Sequence, residues 1–175
     1  MTGKLLGGAI MLTALVGGVA MYWLQVYGYY DAVPASGKND DVQLTLLVSE
    51  TPEPILYENF EAIDSESSPI RYRACFTTSM STALLTETYL LLETAEPRNA
   101  PDWFDCFDAK EIGAALQTQQ ALAFLGQKDV LYGIDRIVVI LPDGRGFAWN
   151  EINDCGEIAF DGKPLPAECP SRPTE

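Results

Sequence analysis

Leu5–Leu24 reads LLGGAIMLTALVGGVAMYWL, twenty consecutive residues without a charge, and the run stays uncharged through Gln25, Val26, Tyr27, Gly28, Tyr29 and Tyr30. A helix rising about 1.5 Å per residue needs about 20 apolar residues to cross a hydrocarbon layer about 30 Å thick. The stretch therefore reads as a transmembrane helix, and it sets the compartment of everything behind it. Lys4 and the amino terminus form a small positive cluster ahead of the run, whereas the segment after it opens on Asp31 and has no basic residue before Lys38. Positive flanks stay cytoplasmic, so the remaining chain is expected outside. Tyr22, Trp23, Tyr27, Tyr29 and Tyr30 crowd the distal end, where amphipathic rings favour the headgroup layer and place the boundary near Val26 to Tyr30.

A cleaved signal peptide is the competing reading, since Gly18-Val19-Ala20 offers small residues to a peptidase. The apolar run exceeds the roughly 7 to 15 residues of a signal core and continues past the cut as Met21-Tyr22-Trp23-Leu24. An uncleaved anchor over residues 1–30 is the expectation. Thr13 with Gly17, and Ala14 with Gly18, are small-xxx-small pairs on which a partner helix could approach closely.

Beyond the anchor lie 145 residues, enough for one domain with a real core. All 25 acidic residues and 10 of the 11 basic ones fall there, a formal balance of −15. Nucleic acid and anionic lipid are poor partners for such a surface, which would attract cations or a basic protein. Cys75, Cys106, Cys155 and Cys169 all belong to this part. An even count in an oxidising compartment points to two disulfides, and a bacterial periplasm fits the orientation of the anchor. Successive spacings of 31, 49 and 14 residues contain no CxxC or zinc knuckle. Three connectivities remain open, with Cys75–Cys106 and Cys155–Cys169 favoured because both close local loops.

The chain after the anchor predicts an α+β domain over residues 42–175, with an antiparallel sheet, behind a turn-rich linker at 31–41. Val42–Ser49 suits a first strand, Ile55–Ile63 contains a second, and Ile70–Thr77 alternates with Ile70, Tyr72, Ala74 and Phe76 on one side. Ser79–Ala95 is balanced between helix and strand, and its threonines and Tyr89 tip it to strand. A helix is expected over residues 108–126, capped by Asp108 with Glu111 completing a capping box and Gly126 ending it. Ile134–Leu141 and Phe147–Ile152 flank Pro142-Asp143-Gly144-Arg145-Gly146, the strongest hairpin signal in the sequence. The proline-rich tail from Pro164 should lie over the surface, tied by Cys169.

Histidine is absent from all 175 residues. Ser-His-Asp and Cys-His nucleophiles, a His-ligated haem, a conventional copper site and a His general base are thereby excluded. Asp102, Asp105 and Asp108, three apart in PDWFDCFD, are the candidate ligands for a hard cation such as calcium, but they lack the alternation of an EF-hand loop and Asp108 has a capping role. No metal, cofactor or catalytic residue is therefore expected. Trp103, Phe104 and Phe107 read as core around Cys106.

The motifs ACFTT (74–78), PDWFDCFDAKEIG (101–113), AFLGQKDVLYGIDRIV (123–138), DGRGFAWN (143–150) and NDCGE (153–157) stand behind a GKLLGG membrane segment. Together they resemble a family of uncharacterised single-pass inner-membrane proteins of alphaproteobacteria. The resemblance implies a bacterial inner-membrane setting with a periplasmic domain, and no activity. The functional expectation is a non-catalytic accessory or assembly subunit. Its helix would pack in the lipid against an integral-membrane complex, for instance a respiratory or photosynthetic electron-transfer complex, with an acidic domain able to attract a basic protein such as a cytochrome c. The alternative is a free-standing sensor or binding module for a cation, a peptide or a basic protein.

Overall fold

The computed structural model describes residues 2–173. Met1 and the last two residues of the 42–175 domain lie outside them. Thr2–Trp23 is an α-helix (α1) that widens into a π-helical turn, Leu24–Gly28. The helical stretch Gly3–Gly28 has mean hydropathy 1.9 and none of its apolar window is covered by the rest of the chain. Met11 is 76% and Leu5 73% exposed. So long an apolar surface left bare suits a membrane anchor or a signal sequence, not the flank of a core.

The domain is organised by a seven-stranded sheet in which every neighbouring pair is antiparallel. Across the sheet stand β1 (Asp31–Val33), β4 (Glu58–Asp64), β5 (Arg73–Thr77), β9 (Arg145–Ile152), β8 (Ile134–Ile140), β7 (Leu122–Leu131) and β6 (Leu91–Leu92). A separate hairpin pairs β2 (Gln43–Thr45) with β3 (Pro52–Pro54). The expected hairpin around Asp143-Gly144 is the β8–β9 pair, in register from Ile134↔Ile152 to Ile140↔Gly146. Gly144 takes φ +89, and a Cβ there would meet the Thr78 carbonyl oxygen at 2.5 Å, so the turn requires glycine.

Alternation along the strands sends apolar side chains to both faces, and both faces are buried. Tyr72, Ala74, Phe76, Phe124, Val138, Ile140 and Ala148 form one core with Val42, Leu44 and Ile55 of the hairpin and Leu85 of α2 (Thr82–Thr88). Cys75, Ile137, Val139, Phe147 and Trp149 form the other, under Phe104, Phe107 and the Ile112 and Ala115 face of α3 (Ala109–Gln117). The domain is a three-layer α+β fold with the sheet in the middle, of the class expected.

Several elements differ from the sequence reading. Ser79–Ala95 is not a strand: Ser81 caps a helix by accepting from the Leu84 amide, and only Leu91–Leu92 is extended sheet. Leu85 buries into the core while Thr82 is exposed and Thr86 and Thr88 are half-buried on the helix, which removes the β-branched argument for strand. The helix expected over residues 108–126 stops at Gln117, and Gln119 turns the chain with φ +56. Leu122 and Ala123, which fit the helical spacing, begin β7 instead. Gly126 is a strand residue whose missing side chain admits Val138 and the Arg136 carbonyl oxygen, 2.9 and 3.0 Å from an added Cβ. The capping box is half formed: Asp108 accepts from the Lys110 and Glu111 amides, but the Glu111 carboxylate pairs with Arg145 at 2.9 Å. The linker begins with sheet, since Asp31, Ala32 and Val33 pair with Asp64, Ile63 and Ala62. A last helix, α4 (Asp154–Phe160), capped by Asn153, was not legible in the pattern.

Leaving β5, the chain crosses one face of the sheet as α2, forms the far edge as β6, and returns over the other face through residues 93–108 and α3. The β7–β8–β9 meander is thus girdled, and Cys75–Cys106 fastens the returning segment to β5. Cys155–Cys169 ties the tail to α4, and Arg172 donates to the Ala159 carbonyl beside it. Both pairs are those favoured from the spacings.

Loop-closure entropy assigns about 4 kcal/mol to a 31-residue separation and about 3 kcal/mol to a 14-residue one. The double variant Cys75→Ala/Cys106→Ala is expected to lose the greater stability in urea titration, because it also frees the girdle from the core. Cys155→Ala/Cys169→Ala should cost less and chiefly raise proteolysis of the tail.

Candidate functional site at the helix-proximal end of the sheet

The residues that carry charge into the fold gather at one end of the sheet. Asp64 ends β4, Arg73 starts β5, Trp149 to Glu151 close β9, and Arg136 lies near the start of β8. Register makes them neighbours: Asp31 faces Asp64, Arg73 faces Trp149, and Arg136 faces Asn150. This is also the end joined to α1, because Asp31 begins β1 three residues after Gly28, with only Tyr29 and Tyr30 between them.

Arg73 is 3% exposed and forms no ion pair among the described residues. Its guanidinium instead donates to four carbonyls, Ile70, Tyr72, Arg98 and Asn99, at 2.6 to 3.1 Å. Burial pulls it down to about 10, still a cation at neutral pH. The carbonyls of Arg98 and Asn99 belong to the returning girdle, so this residue is a structural clamp rather than a reactive group. Below Trp149, Glu151 accepts from the indole Nε1 at 2.6 Å and the Glu96 amide at 2.7 Å, and burial pushes its carboxyl up.

An aromatic collar joins helix and domain. Trp103 donates its Nε1–H to the Val26 carbonyl of the π-helical turn at 2.6 Å, stacks on Tyr27 at 6.2 Å between centroids and meets Tyr30 edge-on at 6.1 Å. The widened turn frees carbonyls that an α-helix would have bonded internally, and Trp103 takes one of them. The Arg71 guanidinium lies over Tyr29 and Tyr30 at 5.9 and 5.6 Å. Trp103 is therefore a bridge to the helix as well as a neighbour of the core around Cys106, a role the sequence reading had not separated.

On the face shared by Tyr72, Arg136 and Asn150, a cavity of about 520 Å³ opens among Asp31, Asp64, Glu66, Leu131, Arg136 and Asn150. Arg136 donates Nε–H to Asn150 Oδ1 at 2.7 Å, and Asn150 anchors itself by donating to the Pro69 carbonyl at 2.7 Å. The guanidinium carbon stands 3.4 Å over the Tyr72 ring. Burial lowers Arg136 and raises Tyr72 and Asp64 from their ordinary values. These residues were not singled out from the sequence; Arg136 stood in it as an unremarkable charge in a strand.

The residues that were singled out fare differently. Asp102, Asp105 and Asp108 line one surface depression of about 430 Å³, yet no cluster of three His, Cys, Asp or Glu suited to a metal occurs among the described residues. Asp108 is occupied by its cap. Thr13, Ala14, Gly17 and Gly18 lie on the bare helix; Thr13 Oγ1 bonds back to Ala9 and Ile10, and added Cβ atoms at both glycines would touch nothing. All four cysteines are bridged.

Trp103→Phe keeps the ring and removes the donor, so it should leave domain unfolding within about 1 kcal/mol while speeding amide exchange or proteolysis at residues 24–30. Glu151→Gln keeps the acceptor and removes the charge. A raised carboxyl holds its proton more tightly folded than unfolded, so its favourable contribution is full below the ordinary 4.5 and is lost as pH rises through the folded value. The glutamine variant should consequently melt higher than the parent at pH 7 and no higher at pH 4.

No curated protein and no solved structure matches the chain. One family model does, over residues 42–170, from the hairpin of β2 to the bridged tail. The chain therefore belongs to that family, described as a family of unknown function, DUF6446.

Proposed function

We propose that the chain is a membrane-anchored, non-catalytic accessory subunit, with α1 packed laterally against an integral-membrane complex and the domain held over the outer face of that complex. The carrying observation is the absence of slack between anchor and sheet: only Tyr29 and Tyr30 separate the π-helical turn from β1, and the Trp103 collar closes over the joint. A tether that merely localises a domain works with a flexible linker. A fixed angle between helix and domain matters when both contact the same partner.

The Thr13–Gly17 and Ala14–Gly18 ridge suits close helix approach. A domain of net −15 favours encounter with a basic soluble partner, as a cytochrome c would be, which makes a respiratory or photosynthetic electron-transfer complex the candidate host. The disulfides and Lys4 ahead of the helix support an amino terminus in the bacterial cytoplasm and a domain in the periplasm. A free-standing binding module is the second reading, favoured by the cavity beside Arg136.

Replacing residues 2–23 by an unrelated polyleucine helix preserves insertion but not the ridge. Extracted in mild detergent through a C-terminal tag, the native protein should bring down an integral-membrane partner and the replaced one should come alone. Recovery of the native protein by itself, or a mature mass beginning at Met21, would overturn the proposal.

A further inference from the structure

The cavity at the end of the sheet combines groups that no single-sign ligand would satisfy. Arg136 is fixed on one edge by Asn150 and on one face by Tyr72. Beyond Asn150 and Tyr72 the guanidinium has no hydrogen-bond partner, and no carboxylate lies within 4 Å of it, among the described residues. In a chain with 25 acidic residues, a half-buried guanidinium that forms no direct ion pair among the described residues is conspicuous. Asp31, Asp64 and Glu66 line the same cavity. Asp64 spends one oxygen on the Ser65 amide at 2.8 Å, and it forms no ion pair among the described residues.

A simple anion would find the guanidinium but also three carboxylates. A simple cation would find the carboxylates but also Arg136. We propose that this cavity binds a compact zwitterion, its phosphate on the Arg136 guanidinium and its ammonium among Asp31, Asp64 and Glu66, the chemistry of an ethanolamine phosphate. Guanidinium matches phosphate through paired donors, and Asn150 takes only the Nε of Arg136. The volume of about 520 Å³ accommodates such a molecule with its water.

Position supplies the source. Asp31 lines the cavity three residues beyond Gly28, a reach of at most about 10 Å from the end of the apolar helix. A headgroup layer is about 5 to 8 Å deep on each side of the hydrocarbon. The mouth therefore stands at the border between lipid headgroups and water, within reach of an ethanolamine phospholipid headgroup or of free phosphoethanolamine.

The test uses the full chain in detergent and in nanodiscs, read by native mass spectrometry and by thermal shift. Free phosphoethanolamine should bind at least tenfold more tightly than inorganic phosphate or ethanolamine alone. Asp64→Asn and Arg136→Met should each weaken it at least tenfold. Leu131→Trp, which fills the mouth from its exposed side without touching Arg136, should do the same, and it carries the test with Asp64→Asn if Arg136→Met fails to fold. Retention of phosphatidylethanolamine over phosphatidylglycerol of identical chains, with free headgroup bound a hundredfold less tightly, assigns the lipid as the source; equal binding of the free molecule assigns the soluble one. Inorganic phosphate binding as well as phosphoethanolamine, indifference to Asp64→Asn, or no binding of any probe overturns the proposal.

Discussion

Everything in the domain depends on fastening the segment that returns across the sheet. A sheet with apolar side chains on both faces needs two covers, and this chain supplies both with one excursion between β5 and β7. Such a girdle runs through the 44 residues between Thr77 and Leu122 before it closes, which is entropically costly unless something holds it. Cys75–Cys106 provides a covalent closure, and the Arg73 guanidinium provides a polar one a few residues away by gathering carbonyls from both sides of the crossing. A buried cation saturated by backbone oxygens satisfies groups that a structureless segment would otherwise leave bare. Phe104 and Phe107, flanking Cys106, then seal Trp149 and Phe147 from water.

The same excursion explains how the helix is held. Trp103 lies two residues after Pro101 in the returning segment, so the girdle that covers the second face also delivers the indole to the Val26 carbonyl. Domain cover and helix clamp are therefore one structure. The strand that follows the helix directly, β1, adds backbone pairing to β4 on the other side of the joint. Helix and domain meet through a strand, an indole and a pair of tyrosines beneath Arg71, and this arrangement gives the joint a defined geometry rather than free swing.

Charge is distributed with equal economy. The acidic surplus is spread over the surface, while the two most deeply placed arginines, Arg73 and Arg136, share one end of the sheet on opposite faces. Arg73 is saturated by the fold and Arg136 is not. That contrast separates a structural cation from one left with binding capacity, and only neighbours in space reveal it.

The sequence alone determined the apolar helix, the α+β class, the Asp143-Gly144 hairpin and the Asp108 cap, and it favoured the two local disulfides without fixing them. Each rests on a short-range rule: a run of apolar length, a loop separation, a glycine at positive φ, a side chain reaching amides two or three residues on. Tertiary structure decided the rest. Leu122 and Ala123 satisfy helical spacing but serve β7, since a strand buried on both faces has no alternation to betray it and Val138 presses into the space Gly126 leaves. Residues 82–88 form a helix that sends Leu85 into the core and leaves Thr82, Ala83, Leu84 and Glu87 exposed. Trp103 as a clamp and Arg136 as an open cation came from register between strands far apart in sequence, and periodicity along one segment cannot report which residue of a distant strand stands opposite.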